Sequence, residues 1–137
     1  MSDPDEASMA DVNRGNRPLS PHLTVYRQRY TGAPSIFHRI TGVGLNLGAL
    51  LVVWWFLAAA DEPDYFYTVD GLLTSWIGGL VLIGLAAALS YHFLNGIRHL
   101  WWDTGHGFDL AQVRLGAMVV VAGTAVLTLL LLIVGWV

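Results

Sequence analysis

The chain has 137 residues, of which 55% are apolar and only 12% charged, with a formal net charge of -3. The charged share is about half the ~25% of an average globular domain, which argues against a water-soluble domain and for a membrane protein. A net charge this small gives no reason to expect a polyanion partner. With no cysteine, the chain's own side chains supply no disulfide, iron–sulfur ligation or thiol catalysis.

Residues 1–16 are polar and acidic, with Asp3, Asp5, Glu6 and Asp11. They lack the basic start and apolar centre of a signal peptide and the Arg-rich, acid-poor character of an organellar presequence, so a disordered tail on a bacterial protein is expected. Residues 17–34 read as an extended segment along the inner membrane face or against a soluble partner. Its prolines Pro18 and Pro21 oppose helix, and Thr31-Gly32-Ala33-Pro34 reads as a turn. Ser35 then stands where an N-cap is expected.

Residues 35–137 form an all-α membrane domain of three spans, at about 36–60, 71–98 and 114–137, each long enough to cross a bilayer. All seven basic residues are Arg, and Arg14, Arg17, Arg27, Arg29, Arg39, Arg98 and Arg114 fall on one side of the spans. The connection from Asp61 to Asp70 holds four acids and no base. The arginine side is therefore cytoplasmic, with the N-terminus inside and the C-terminus periplasmic. Trp54, Trp55, Tyr65, Tyr67, Trp76 and Trp136 suit an outer aromatic belt, and Trp101 and Trp102 an inner one.

Within the first span, Gly44-Leu45-Asn46-Leu47-Gly48 is a GxxxG pattern, which suggests close helix contact. Asn46 and Asn95 are expected to hydrogen-bond between helices. No phosphate loop, zinc motif or hydrolytic triad is visible.

His92 is the costliest residue in the second span, since an imidazole at membrane depth needs a task or a partner. At ~100° per residue, His99 lies about 20° from it, Gly96 about 40° and Asp103 about 20°, while Arg98 faces elsewhere. Two histidines on one stripe with a glycine between leave a space that a flat macrocycle could enter. His92 is ~9 Å deeper than Arg98, a reasonable depth for an axial haem ligand. A polar packing residue bonded to a neighbouring backbone is the equal alternative. His99 by itself reads as an interfacial histidine. His38 near the inner end of the first span, and His22 and His106 outside the spans, do not match the depth of His92, so a second axial ligand should come from another subunit. Ser35 and Arg39, at i and i+4, share a face at the inner edge of the first helix. They could hold a quinone head group, and His38 and Arg39 could meet haem propionates. A helix cap with a snorkelling Arg remains the simpler local reading.

Three stretches in order, Arg17-Pro18-Leu19-Ser20-Pro21-His22-Leu23, Ser35-Ile36-Phe37-His38-Arg39-Ile40-Thr41-Gly42 and His92-Phe93-Leu94-Asn95-Gly96-Ile97-Arg98-His99-Leu100-Trp101-Trp102-Asp103, make the chain recognisable. From about Arg17 to its end it resembles the cytochrome b556 subunits of succinate dehydrogenase, the larger membrane anchors of respiratory complex II. The resemblance implies that His92 is an axial ligand of haem b, its iron shared with the small membrane anchor subunit. It implies that Ser35 and Arg39 line the ubiquinone pocket and that His38, Arg39 and His99 lie near the haem propionates. It further implies a flavoprotein, which oxidises succinate, and an iron–sulfur subunit on the cytoplasmic side of a bacterial inner membrane. An assembly of three heterotetramers is compatible with it. No catalytic residue is expected in this chain, and His22 and His106 have no role assigned. The rival readings are a purely structural anchor without haem, or the anchor of a quinol:fumarate reductase. A transporter fits least, because the spans contain no acid.

Overall fold

The computed structural model describes residues 32–136. The expected tail over 1–16, the extended segment over 17–31, and His22 lie outside the described residues. Among them there are four helices and no strand: α1 (Gly32–Ala59), α2 (Pro63–Leu73), α3 (Trp76–Asp103) and α4 (Leu110–Trp136). Helices α1, α3 and α4 are each long and apolar enough to cross a membrane. They run antiparallel in sequence, and α3 lies between the other two.

Several boundaries differ from the expectation, and α4 begins at Leu110 where the third span had been expected from 114. Helix α1 already includes Gly32, Ala33 and Pro34, which had read as a turn, so Ser35 is inside the first turn rather than the cap. The first turn of a helix has N–H groups without helical acceptors, so a proline there sacrifices nothing. The second span had been expected from Gly71, but α3 starts at Trp76 and continues to Asp103. Thr74 closes α2, and the Ser75 hydroxyl caps α3 by accepting from the Gly78 amide at 3.2 Å. Glycine at 78 lets α3 begin against α2, since a Cβ there would collide with the carbonyl oxygens of Leu72 and Leu73. No charged residue stands at this corner, and Thr74-Ser75 is too short a polar break for hydropathy to mark it.

The acidic connection is itself largely helical. Pro63 occupies the first turn of α2 with Asp64 beside it, the arrangement favoured by helix-start geometry and by the helix dipole. Indole N–H groups of α1 tie α2 down: Trp54 Nε1 donates to Tyr65 Oη at 2.8 Å and Trp55 Nε1 to Asp70 Oδ1 at 3.0 Å. Val69, 2% exposed, fills the space beneath.

Small residues set the helix spacing. A Cβ on Gly48 would lie 2.7 Å from Leu85 Cδ2, and one on Gly123 2.9 Å from Leu94 Cδ1. Gly44 faces open space, so the GxxxG pattern acts through Gly48 alone. The asparagines depart from expectation too. Asn46 Nδ2 donates to the Gly42 carbonyl of its own helix, and Asn95 Oδ1 accepts from Arg98 Nη1 one turn along α3. The contact between α3 and α4 is instead bridged by Arg98. Only 7% exposed, it donates from Nη2 to the Val113 carbonyl at 3.3 Å and lies over the Trp102 ring at 4.0 Å. Gly116 leaves room for it, since a Cβ there would be 3.2 Å from Arg98 Nε.

Gly48→Val should destabilise the folded chain by about 1–3 kcal/mol, the usual cost of overpacking. Gly44→Val should leave stability nearly unchanged. Thermal unfolding of the two variants in detergent checks this; equal losses would show that both glycines pack.

Candidate functional site

The first three turns of α1 lie against the later turns of α3 near the end that carries Arg39 and Arg98. Three imidazoles come together there. His38 and His92 stack face to face, with ring centroids 3.8 Å apart and planes 10° from parallel. His99 lies 5.3 Å from His38, and Trp102 meets His99 edge-on at 5.2 Å.

His38 was expected to be too shallow to meet His92; it packs directly on it. The space foreseen between His92 and His99 over Gly96 is where the His38 ring lies, its Cε1 3.9 Å from where a Gly96 Cβ would be. The reason is that α1 crosses α3 close to its own first turns, so a residue near the start of α1 reaches the His92 level. A face-to-face pair at van der Waals separation leaves no space for an ion between the rings. His38 therefore cannot be the opposing ligand of an iron held by His92 in this arrangement.

The ring of His92 is fixed by its other nitrogen. Nδ1 is 3.1 Å from the His38 carbonyl oxygen and 3.3 Å from Thr41 Oγ1. The Thr41 hydroxyl donates to the Phe37 or His38 carbonyl, 2.9 Å from each. A carbonyl can only accept, so His92 Nδ1 carries the proton, and in the neutral ring Nε2 is then the nitrogen with the lone pair. This is the usual support for a metal-binding imidazole, whose second nitrogen donates to a backbone carbonyl or carboxylate. Gly42 permits the approach: its Cβ would stand 3.1 Å from His92 Cε1. In contrast, His38 Nδ1 is buried without a hydrogen-bond partner. That polar atom and His92 Nε2 are of the chemical type that an iron and a carboxylate would use. Among the described residues, no group of three or more His, Cys, Asp or Glu side chains could hold a free metal ion.

Ser35 and Arg39 lie one turn apart at the start of α1. Ser35 is half-buried and Arg39 exposed, and neither side chain has a hydrogen-bond partner among the described residues. Asp103, expected on the histidine stripe, is exposed at the end of α3. His106 is exposed beside Thr104 Oγ1, at 2.9 Å. Two contributors escaped the sequence reading. Thr41 is three residues from His38 and so borders it on the helix, which the wheel could have shown. Tyr91 donates its hydroxyl to the Pro34 carbonyl at 2.9 Å, and nothing in the sequence indicates that pairing.

Comparison with known proteins gives a consistent result. Residues 13–131 match the family described as succinate dehydrogenase/fumarate reductase transmembrane subunit. The chain is 48% identical over 126 residues to the succinate dehydrogenase cytochrome b556 subunit of Paracoccus denitrificans, covering 92% of this chain and 97% of that protein. It is 36% identical to the cytochrome b556 subunit of Rickettsia conorii, over 84% of this chain and 90% of that one. With the cytochrome b560 subunit of Marchantia polymorpha it shares 39% identity, over 84% and 88%.

The tautomer is open to direct measurement. With 15N-labelled histidine in the haem-free chain, His92 Nδ1 should resonate in the protonated, pyrrole-type range and Nε2 in the bare, pyridine-type range. The reverse assignment would mean that the Nδ1–carbonyl bond is not formed.

Proposed function

The chain belongs to the succinate dehydrogenase/fumarate reductase transmembrane-subunit family, and on that premise we propose that it is a cytochrome b anchor in which His92 ligates haem b and Ser35 and Arg39 face ubiquinone. The observation that carries this reading is the bond from His92 Nδ1 to the His38 carbonyl, which leaves Nε2 as the ligating atom. The haem, when bound, supplies a one-electron redox centre. The small membrane anchor subunit would supply the iron's other ligand. That assignment is favoured because His38 stacks on His92 rather than facing it. His38, Arg39 and His99 would hold the propionates, and the buried, unpaired Nδ1 of His38 supports its part in this.

The quinone site follows from the first turns of α1. Ser35 donates a hydrogen bond to a quinone carbonyl, and Arg39 stabilises the negative charge that develops on the quinone oxygen as it is reduced. The protein's task is thus positioning and electrostatics, while succinate is oxidised on the flavoprotein and its electrons arrive through the iron–sulfur subunit. With the arginines inside, those two subunits dock at the Arg39 and Arg98 end, on the cytoplasmic face of the inner membrane. The same site would serve an anchor of a quinol:fumarate reductase; direction depends on potentials.

Ser35→Ala should slow ubiquinone reduction by the assembled complex about three- to tenfold, the worth of one hydrogen bond. Succinate oxidation with a soluble artificial acceptor should be unchanged. Equal loss of both activities, or loss of neither, would remove Ser35 from the quinone site.

A further inference from the structure

We propose that Tyr91 is a positioning residue for the quinone site, acting through the backbone of α1. The inference rests on the reading of Ser35 as a quinone contact. Ser35 lies in the first turn of α1, where backbone N–H groups lack helical acceptors and the helix is easiest to distort. A side chain that must donate to one oxygen atom needs that turn held to within about 0.5 Å.

Helix α3 provides the hold with two adjacent residues. Tyr91 Oη donates to the Pro34 carbonyl at 2.9 Å, and His92 Nδ1 donates to the His38 carbonyl at 3.1 Å. Those two carbonyls are one helical turn apart and bracket Ser35. The Tyr91 ring also meets Phe37 edge-on at 6.4 Å, so the phenol is packed along the same face of α1. His92 is committed to the cofactor, which leaves Tyr91 as the residue whose task is to fix the turn. Its hydroxyl is spent on a backbone acceptor next to Ser35, and it does not itself touch quinone.

The test uses the complete four-subunit complex with Tyr91→Phe, Ser35→Ala and the double variant, and ubiquinone as substrate. Tyr91→Phe keeps the ring and removes only the hydroxyl. Its quinone KM should rise about threefold, consistent with loosening one hydrogen bond. The haem spectrum and the activity with a soluble acceptor should match the unsubstituted complex. In the Ser35→Ala background, Tyr91→Phe should add almost nothing, because the turn then has no hydroxyl to position. Additive effects would overturn the inference by making Tyr91 act independently of Ser35. So would an unchanged KM in Tyr91→Phe beside a raised one in Ser35→Ala. A Tyr91→Phe complex that lacks subunits or haem would make the residue structural, again overturning it. An unchanged KM in Ser35→Ala alone would instead overturn the quinone assignment of Ser35 on which the inference stands.

Discussion

The hydrogen bond between His92 Nδ1 and the His38 carbonyl is the interaction on which the rest of the site depends. It is a tertiary bond between helices far apart in sequence, made where water is scarce and an unpaired imidazole N–H would be costly. It sets the ring's orientation and leaves a lone pair on the opposite nitrogen. It also fixes how close α1 can come to α3, and Gly42 is the residue that tolerates that approach. The histidine stack and the Tyr91–Pro34 bond lie within a turn of the same crossing, so the orientation of the His92 ring and the start of α1 are mechanically joined.

The chain is economical in its own core. Among the described residues, the buried apolar ones are few and small, chiefly Ala58, Val69, Val113, Ala117 and Val120, while large side chains such as Phe37, Phe56, Phe93 and Trp76 are exposed. In lipid this carries no hydrophobic penalty, and helix association falls instead to close packing and polar bridges. Arg98 is the main bridge to α4, as the His92 bond is to α1.

The sequence carried much of this at the level of segments. Three apolar stretches, each with an arginine at one end, were enough to predict three spans, and ordered motifs were enough to identify the family. Side-chain partners were harder. The corner at Thr74 and Ser75 was invisible because Gly71–Leu73 is as apolar as the helix that follows. The wheel grouped His92, Gly96 and His99 correctly but could not foresee that His38, on another helix, would fill the space over Gly96. A wheel describes one helix and contains no crossing point. For the same reason Asn46 and Asn95 looked like interhelical donors, when Arg98 and His92 fill that role. Tyr91 adjoins His92, yet its use is set by which carbonyl lies opposite.

The central claim is that His92 Nε2 holds haem at a site shared with a second subunit. The reduced-minus-oxidised spectrum of the purified complex, taken for the unsubstituted protein and for His92→Ala, measures it directly. A b-type band in the first that is lost or displaced in the second is the expected result. An identical band in both, or none in either, would contradict the claim and leave His92 as a packing residue.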